Sequence, residues 1–164
     1  MNKSWSLLLA VGLLCTPIVG RAANKTSTVG SAKIDGKTVK LARYAKAYIG
    51  QGNVKVEVAP YQMGDKDGAI LVFHGIEGDW DGKALNHRVA PKNDQGEFDY
   101  VTQYKGEDWH TLVVRNDYDG KLTYQLFVPG VQDGIMLAPS DGAAQLINPH
   151  DIVEQYQHPR KSAE

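Results

Sequence analysis

Alternation with a period of two, punctuated by short Asp- and Gly-rich turns, dominates this chain from residue 29 onward. Val54, Val56 and Val58 alternate with Lys55, Glu57 and Ala59, and Phe98, Tyr100, Thr102 and Tyr104 alternate with Glu97, Asp99, Val101 and Gln103. Leu122, Tyr124, Leu126 and Val128 do the same against Lys121, Thr123, Gln125 and Phe127. Successive side chains of a strand point to opposite faces, so each run fits an antiparallel strand with one face on a core. Residues 69–76 are almost continuously apolar, which predicts a strand covered on both faces.

The turns name the connections. Asp35-Gly36 stands between Ala32-Lys33-Ile34 and Lys37-Thr38-Val39, as in a tight hairpin. Asp65-Lys66-Asp67-Gly68, Asp79-Trp80-Asp81-Gly82 and Asp117-Tyr118-Asp119-Gly120 share the form D-x-D-G, and Asn93-Asp94-Gln95-Gly96 is a near variant. In each, the first side chain can accept backbone N–H groups, two residues make a type I turn and Gly takes the left-handed position, so hairpin ends are expected. Strands are placed at 29–34, 37–49, 53–61, 69–76, 84–90, 97–104, 109–116, 121–128 and 134–138. Residues 39–49 also fit a helical spacing, and strand is chosen because hairpin signals flank them. Eight or nine strands with short connections make an all-β, up-and-down antiparallel meander that closes as a barrel or folds as a sandwich. A short helix over 149–156 ends the domain, with Asn148 as cap, Pro149 in the first turn and Ile152, Val153 and Tyr156 on its apolar face.

The N-terminus has the form of a secretory signal peptide over residues 1–22, followed by one β-rich domain over 23–164. Lys3 precedes an apolar run from Trp5 to Val19, too short to span a bilayer, and Gly20 and Ala22 fit a cleavage after Ala22. Leu14 stands where a lipoprotein would need a small residue before Cys15. Loss of 22 from 164 residues removes Lys3 and Arg21, leaving 142 residues with 16 basic and 19 acidic side chains, a net charge of −3. No cysteine remains, which excludes thiol catalysis, thiolate metal sites and a disulfide framework. Near-balanced charge likewise excludes a nucleic-acid binder that works by bulk positive potential. The expected address is the periplasm or the secreted fraction, with no membrane insertion after the signal is removed.

Catalytic signatures are sparse. G-x-S-x-G, H-E-x-x-H, phosphate-loop and dinucleotide glycine patterns do not occur. The D-x-D-G loops lack the middle ligand and the terminal Glu of an EF-hand, so turn chemistry accounts for them without calcium. Ser140 lies in Pro139-Ser140-Asp141-Gly142, read as a turn. Register counting puts His87, Tyr104 and His110 near one another inside a barrel, a candidate polar cluster. Trp80, flanked by Glu77, Asp79 and Asp81 and on the same end as Glu107 and Asp108, is the candidate binding tip: one aromatic anchor in an acidic rim. Tyr118 occupies the matching place at the opposite end.

These features point to an exported, non-enzymatic binding domain with no cofactor and no metal. It would recognise a protein partner or a small ligand through hairpin tips or the barrel mouth; an inhibitor of a basic secreted enzyme is one specific version. Two alternatives are a metal-dependent or acid–base hydrolase using His87 and His110, and a structural envelope protein.

Overall fold

The computed structural model describes residues 28–159, so the expected signal peptide lies outside the described residues. Ten strands and two helices follow one another: β1 (Thr28–Ile34), β2 (Lys37–Ala42), β3 (Lys46–Gly50), β4 (Lys55–Met63), β5 (Lys66–His74), β6 (Ala84–Pro91), β7 (Phe98–Tyr104), β8 (Glu107–Asn116), β9 (Leu122–Leu126), β10 (Ile135–Pro139), α1 (Asp141–Gln145) and α2 (Pro149–Gln157). The strands run in the order β4-β3-β10-β9-β8-β7-β6-β5 and β5 pairs back onto β4, closing an eight-stranded antiparallel barrel. Closure removes the exposed edges that a sandwich of the same strands would keep. β1 and β2 are two extra strands outside the ring.

The extra hairpin explains a departure from the simple meander. β4 pairs with β3 through its first half, from Lys46↔Val58 to Ile49↔Lys55, and with β2 through its second half at Leu41↔Tyr61 and Lys40↔Gln62. The single strand expected over 37–49 is therefore two, broken at residues 43–45. Leu41 belongs to a core outside the barrel and Tyr48 to the core inside it, so the chain must leave one layer and enter the other.

The turns at Asp35-Gly36, Asn93 and Asp117 follow the sequence reading, and those expected at Gly68 and Ser140 do not. Asp117 Oδ1 accepts the Asp119 and Lys121 N–H groups at 2.9 and 2.8 Å, and Asn93 Oδ1 accepts from Gln95 at 3.0 Å. Met63, however, pairs with Lys66, so the β4–β5 turn is Gly64-Asp65, and Gly68 sits inside β5 opposite Tyr61. A Cβ there would run into the Tyr61 ring, so Gly68 serves close packing and not a turn. At the C-terminal end, Ser140 accepts a hydrogen bond from the Ala143 N–H at 3.4 Å and caps α1, where a turn was expected.

Alternation sorts the apolar side chains into two cores. Val56, Val58, Ala69, Leu71, Phe73, Tyr100, Leu112 and Leu126 fill the barrel interior. Ile34, Val39, Leu41, Ala59, Tyr61, Ile70, Val72, Ile152 and Val153 form a second core between the outer wall, the β1–β2 hairpin and α2. β5 lies between the two, which is why its run is continuously apolar. One register shift breaks the alternation. Tyr100 pairs with Leu112 but Val101 pairs with His110, leaving Thr111 as the extra residue of a β-bulge. A one-residue shift moves every following side chain to the other face.

Gly75 (φ 69°) closes the barrel end against the backbone after β3, where an added Cβ would lie 2.7 Å from the Asn53 carbonyl oxygen; Gly36 (φ 76°), in the β1–β2 turn, has open space. Both substitutions to Ala carry the left-handed penalty of roughly 1–2 kcal/mol, but Gly75→Ala adds a backbone collision. Urea unfolding should show Gly75→Ala the more destabilising by at least about 1 kcal/mol; equal losses would mean that the close approach carries no energetic weight.

Candidate functional site

The proposed aromatic tip is not a tip. Trp80 is 7% exposed: the segment between β5 and β6 curls inward, held by the Gly82 N–H to the Phe73 carbonyl at 2.7 Å and the Lys83 N–H to the Trp80 carbonyl at 3.0 Å. The indole packs on Phe73, with ring centroids 5.5 Å apart, and edge-on against Tyr104 at 5.7 Å. Tyr104 meets Trp109 at 5.7 Å, and Trp109 Nε1 donates to the Phe127 carbonyl at 2.9 Å. Four aromatics thus plug one end of the barrel. Burying an indole in an open barrel end gains far more than displaying it, which is why the segment folds in.

The acidic residues around Trp80 remain exposed but do not make one negative rim. Glu77, Asp79, Asp81 and Glu107 face solvent. Asp81 Oδ1 accepts the Ile76 N–H at 3.3 Å, and Asp108 lies 2.5 Å from Arg88 Nη2 and accepts from the Gln103 side chain. Lys105 stands 5.2 Å over the Tyr104 ring. Tyr118, at the other end, is fully exposed.

The expected cluster of His87, Tyr104 and His110 also comes apart. His87 is buried inside the barrel beside Phe73; its Nδ1–H donates to the Leu85 carbonyl at 2.9 Å and its Nε2 accepts from the Thr111 hydroxyl at 3.0 Å. A carbonyl can only accept, so the Leu85 bond puts a proton on Nδ1 and leaves Nε2 as the acceptor in the neutral ring. Burial lowers the His87 pKa to about 4. Tyr104 sits among the plugging aromatics. The Thr111 bulge puts His110 on the outer wall, Nδ1 2.6 Å from Asp99 Oδ2, where an unbroken strand would have turned it inward.

A groove among the described residues lies outside the barrel. α2 begins with the Asn148 side chain accepting from the His150 N–H at 3.1 Å, and Ile152 and Val153 anchor it in the second core. Its other face, with Asp151, Glu154, Gln155 and His158, borders a groove of about 520 Å³ with Glu57 of β4 and Leu146, Ile147 and Asn148 from the corner after α1. Leu146 is 89% exposed. Glu57 lies 2.6 Å from Lys55 Nζ and 3.6 Å from His74 Nε2. His74 draws the carboxyl down, burial opposes it and Lys55 adds to the pull, leaving a pKa of about 2. A carboxylate so firmly ionised accepts hydrogen bonds and attracts cations; it cannot donate a proton near neutrality.

This groove was not among the sequence candidates. Asp151, Glu154, Gln155 and His158 do share a polar stripe at helical spacing, but nothing local says that β4 brings Glu57 to them. Compared with known protein families, curated proteins and solved structures, the chain matches none.

Two predictions follow from these placements. Trp80→Ala should cost about 3–5 kcal/mol in urea unfolding, as for a large buried aromatic; a loss under 1 kcal/mol would return Trp80 to the surface. His87 binds its proton more weakly folded than unfolded, so its contribution is full above pH 6.5 and is lost as pH falls toward about 4. The loss amounts to about 3 kcal/mol. His87→Gln should flatten the stability profile in that window while leaving the Glu57 window, from 4.5 down to about 2, unchanged. Parallel profiles for wild type and variant would remove His87 as the source.

Proposed function

We propose that this chain is an exported, non-enzymatic binding domain that holds a cationic, partly apolar segment of a partner in the groove between α2 and the barrel wall. The observation that carries the reading is where space is left. Side chains fill the barrel interior, so a ligand in the barrel would have to displace core, whereas the groove outside combines an apolar corner with acidic walls. Leu146 and Ile147 offer contact area, and Glu57, Asp151 and Glu154 offer acceptors for Lys or Arg. Export rests on Lys3, the apolar run to Val19 and the small residues Gly20 and Ala22. A charged outer wall, with Lys55, Glu57, Arg88 and Asp108, supports a domain surrounded by water. The hydrolase alternative needs His87 and His110 in one site, and they lie on opposite faces of the sheet.

Selection of a random peptide library on the purified domain tests the reading. Enriched peptides should pair Lys or Arg with Leu, Ile or Phe, and Glu57→Gln with Glu154→Gln should weaken them by about tenfold or more. Enrichment of acidic peptides, or affinity unchanged in the double variant, would overturn it.

A further inference from the structure

Three strands around the ring from β4, through β5 and β6, the far wall carries a cationic site built on a buried carboxylate. Asp99 of β7 points outward yet is 2% exposed, because Lys92, His110 and Arg115 cover it. His110 Nδ1 lies 2.6 Å and Lys92 Nζ 3.3 Å from Oδ2, and Arg115 Nη1 lies 2.6 Å from Oδ1. All three heads touch the two oxygens of one carboxylate, so they lie within a few ångström of one another. Burial pushes the Asp99 carboxyl up, but Arg115, His110 and Lys92 together outweigh it and hold it below its usual value. The carboxyl is therefore held ionised, and it gathers the three side chains over it.

Positive charge is in surplus. One carboxylate faces two permanent cations and an imidazole, and the three covering side chains are 36–44% exposed. Their remaining donors have no partner among the described residues. His110 spends Nδ1 on Asp99 and keeps Nε2; Arg115 donates Nη1 to the Phe98 and Val114 carbonyls, meets Asp99 Oδ1 as an ion pair, and keeps Nη2 and Nε. The nearby acids are engaged elsewhere. Glu97 accepts from the Asn116 N–H at 2.9 Å and from the Asn93 side chain at 2.8 Å, and Asp108 pairs with Arg88. A buried carboxylate needs a cationic partner, but Arg115 and Lys92 together already exceed what one carboxylate requires. Donors held in place by a buried anchor do offer an incoming anion a site that needs little further ordering.

We propose that Lys92, His110 and Arg115 form a recognition site for a phosphate-type oxyanion, carried as a free ion or as the headgroup of a lipid. Three donors from separate side chains suit the several oxygens of a tetrahedral oxyanion, where a carboxylate offers two. The site stands apart from the groove: a charge-specific contact on one wall, a peptide-type contact on the other.

Imidazole ¹H–¹⁵N spectra of the full mature domain, titrated with sodium phosphate against sodium chloride at matched ionic strength, test the site. A saturable shift of the His110 resonances with phosphate, absent with chloride, is expected, and R115Q and K92Q should each weaken it by about tenfold. Arg115 also holds two backbone carbonyls, so K92Q, which leaves both bonds in place, carries the test if R115Q unfolds. Flotation with vesicles of phosphatidylcholine, with and without phosphatidic acid, distinguishes the sources. Binding to phosphatidic acid that K92Q abolishes, without a response to free phosphate, assigns the headgroup. A chloride response equal to that of phosphate, or no saturation and no flotation, would overturn the site. Because Glu57 is untouched, peptide binding in the groove should be the same in K92Q, so either reading can fail alone.

Discussion

The unbroken ladder between β4 and β5, nine register pairs from Lys55↔His74 to Met63↔Lys66, is the wall on which both cores are built. Val56, Val58, Ala69, Leu71 and Phe73 project from it into the barrel; Ala59, Tyr61, Ile70 and Val72 project from it toward α2 and the β1–β2 hairpin. Each large aliphatic or aromatic side chain fully buried this way contributes on the order of 1.5–3 kcal/mol, on both sides of the same backbone. Without the outer layer, Ile70 and Val72 would lie bare on the barrel wall. α2 and the hairpin are therefore structural covers first. The groove lies where α2 and the corner after α1 stand beside Glu57 on the β4 wall.

The same arithmetic of faces decides what could be read from the chain. Alternation from residue 54 to residue 128 gives the strands, their antiparallel pairing and the polar face of each, because a period of two is a local property. The pairings Val89↔Tyr100 and Leu112↔Leu126 follow from it directly. The Thr111 bulge does not. Nothing in Trp109-His110-Thr111-Leu112 marks the extra residue; it is selected by Leu112 filling the interior while Thr111 reaches His87. Counting through it without a shift sends His110 inward and assembles a cluster that the fold does not make. Gly68 fails for a similar reason: its packing partner Tyr61 is seven residues away in sequence and directly across the ladder.

Trp80 illustrates a competition between local and global terms. D-x-D-G around it is sound turn chemistry, and a tight turn would expose the side chain. Barrel closure leaves an open end over Phe73, however, and an indole is the largest apolar group within reach. A looser connection costs little entropy, since the cost of closing a loop grows only slowly with its length. Desolvation of the indole wins, and Gly75, Gly78 and Gly82 at φ of 69°, 102° and 68° supply the bends. The acidic side chains stay outside because a carboxylate in the aromatic plug would be left without a partner.

Three histidines show how placement sets chemistry. His74 and His110 are each half-exposed on the outer wall beside a carboxylate, whereas His87 is held neutral by burial and oriented by a carbonyl on one side and a hydroxyl on the other. The same residue type serves as a partner for carboxylates on the outer wall and as a hydrogen-bonded spacer in the core. Charged groups are thus confined to the walls, and there the two signs separate. Glu57 with α2 makes one wall acidic and concave, and the cations over Asp99 make the opposite wall basic and convex. β5 and β6 on the short way round the ring, and the packed interior across it, keep the two apart. A domain of nearly balanced net charge can therefore present two unlike electrostatic faces, and a rigid filled interior lets each be engaged without distorting the other.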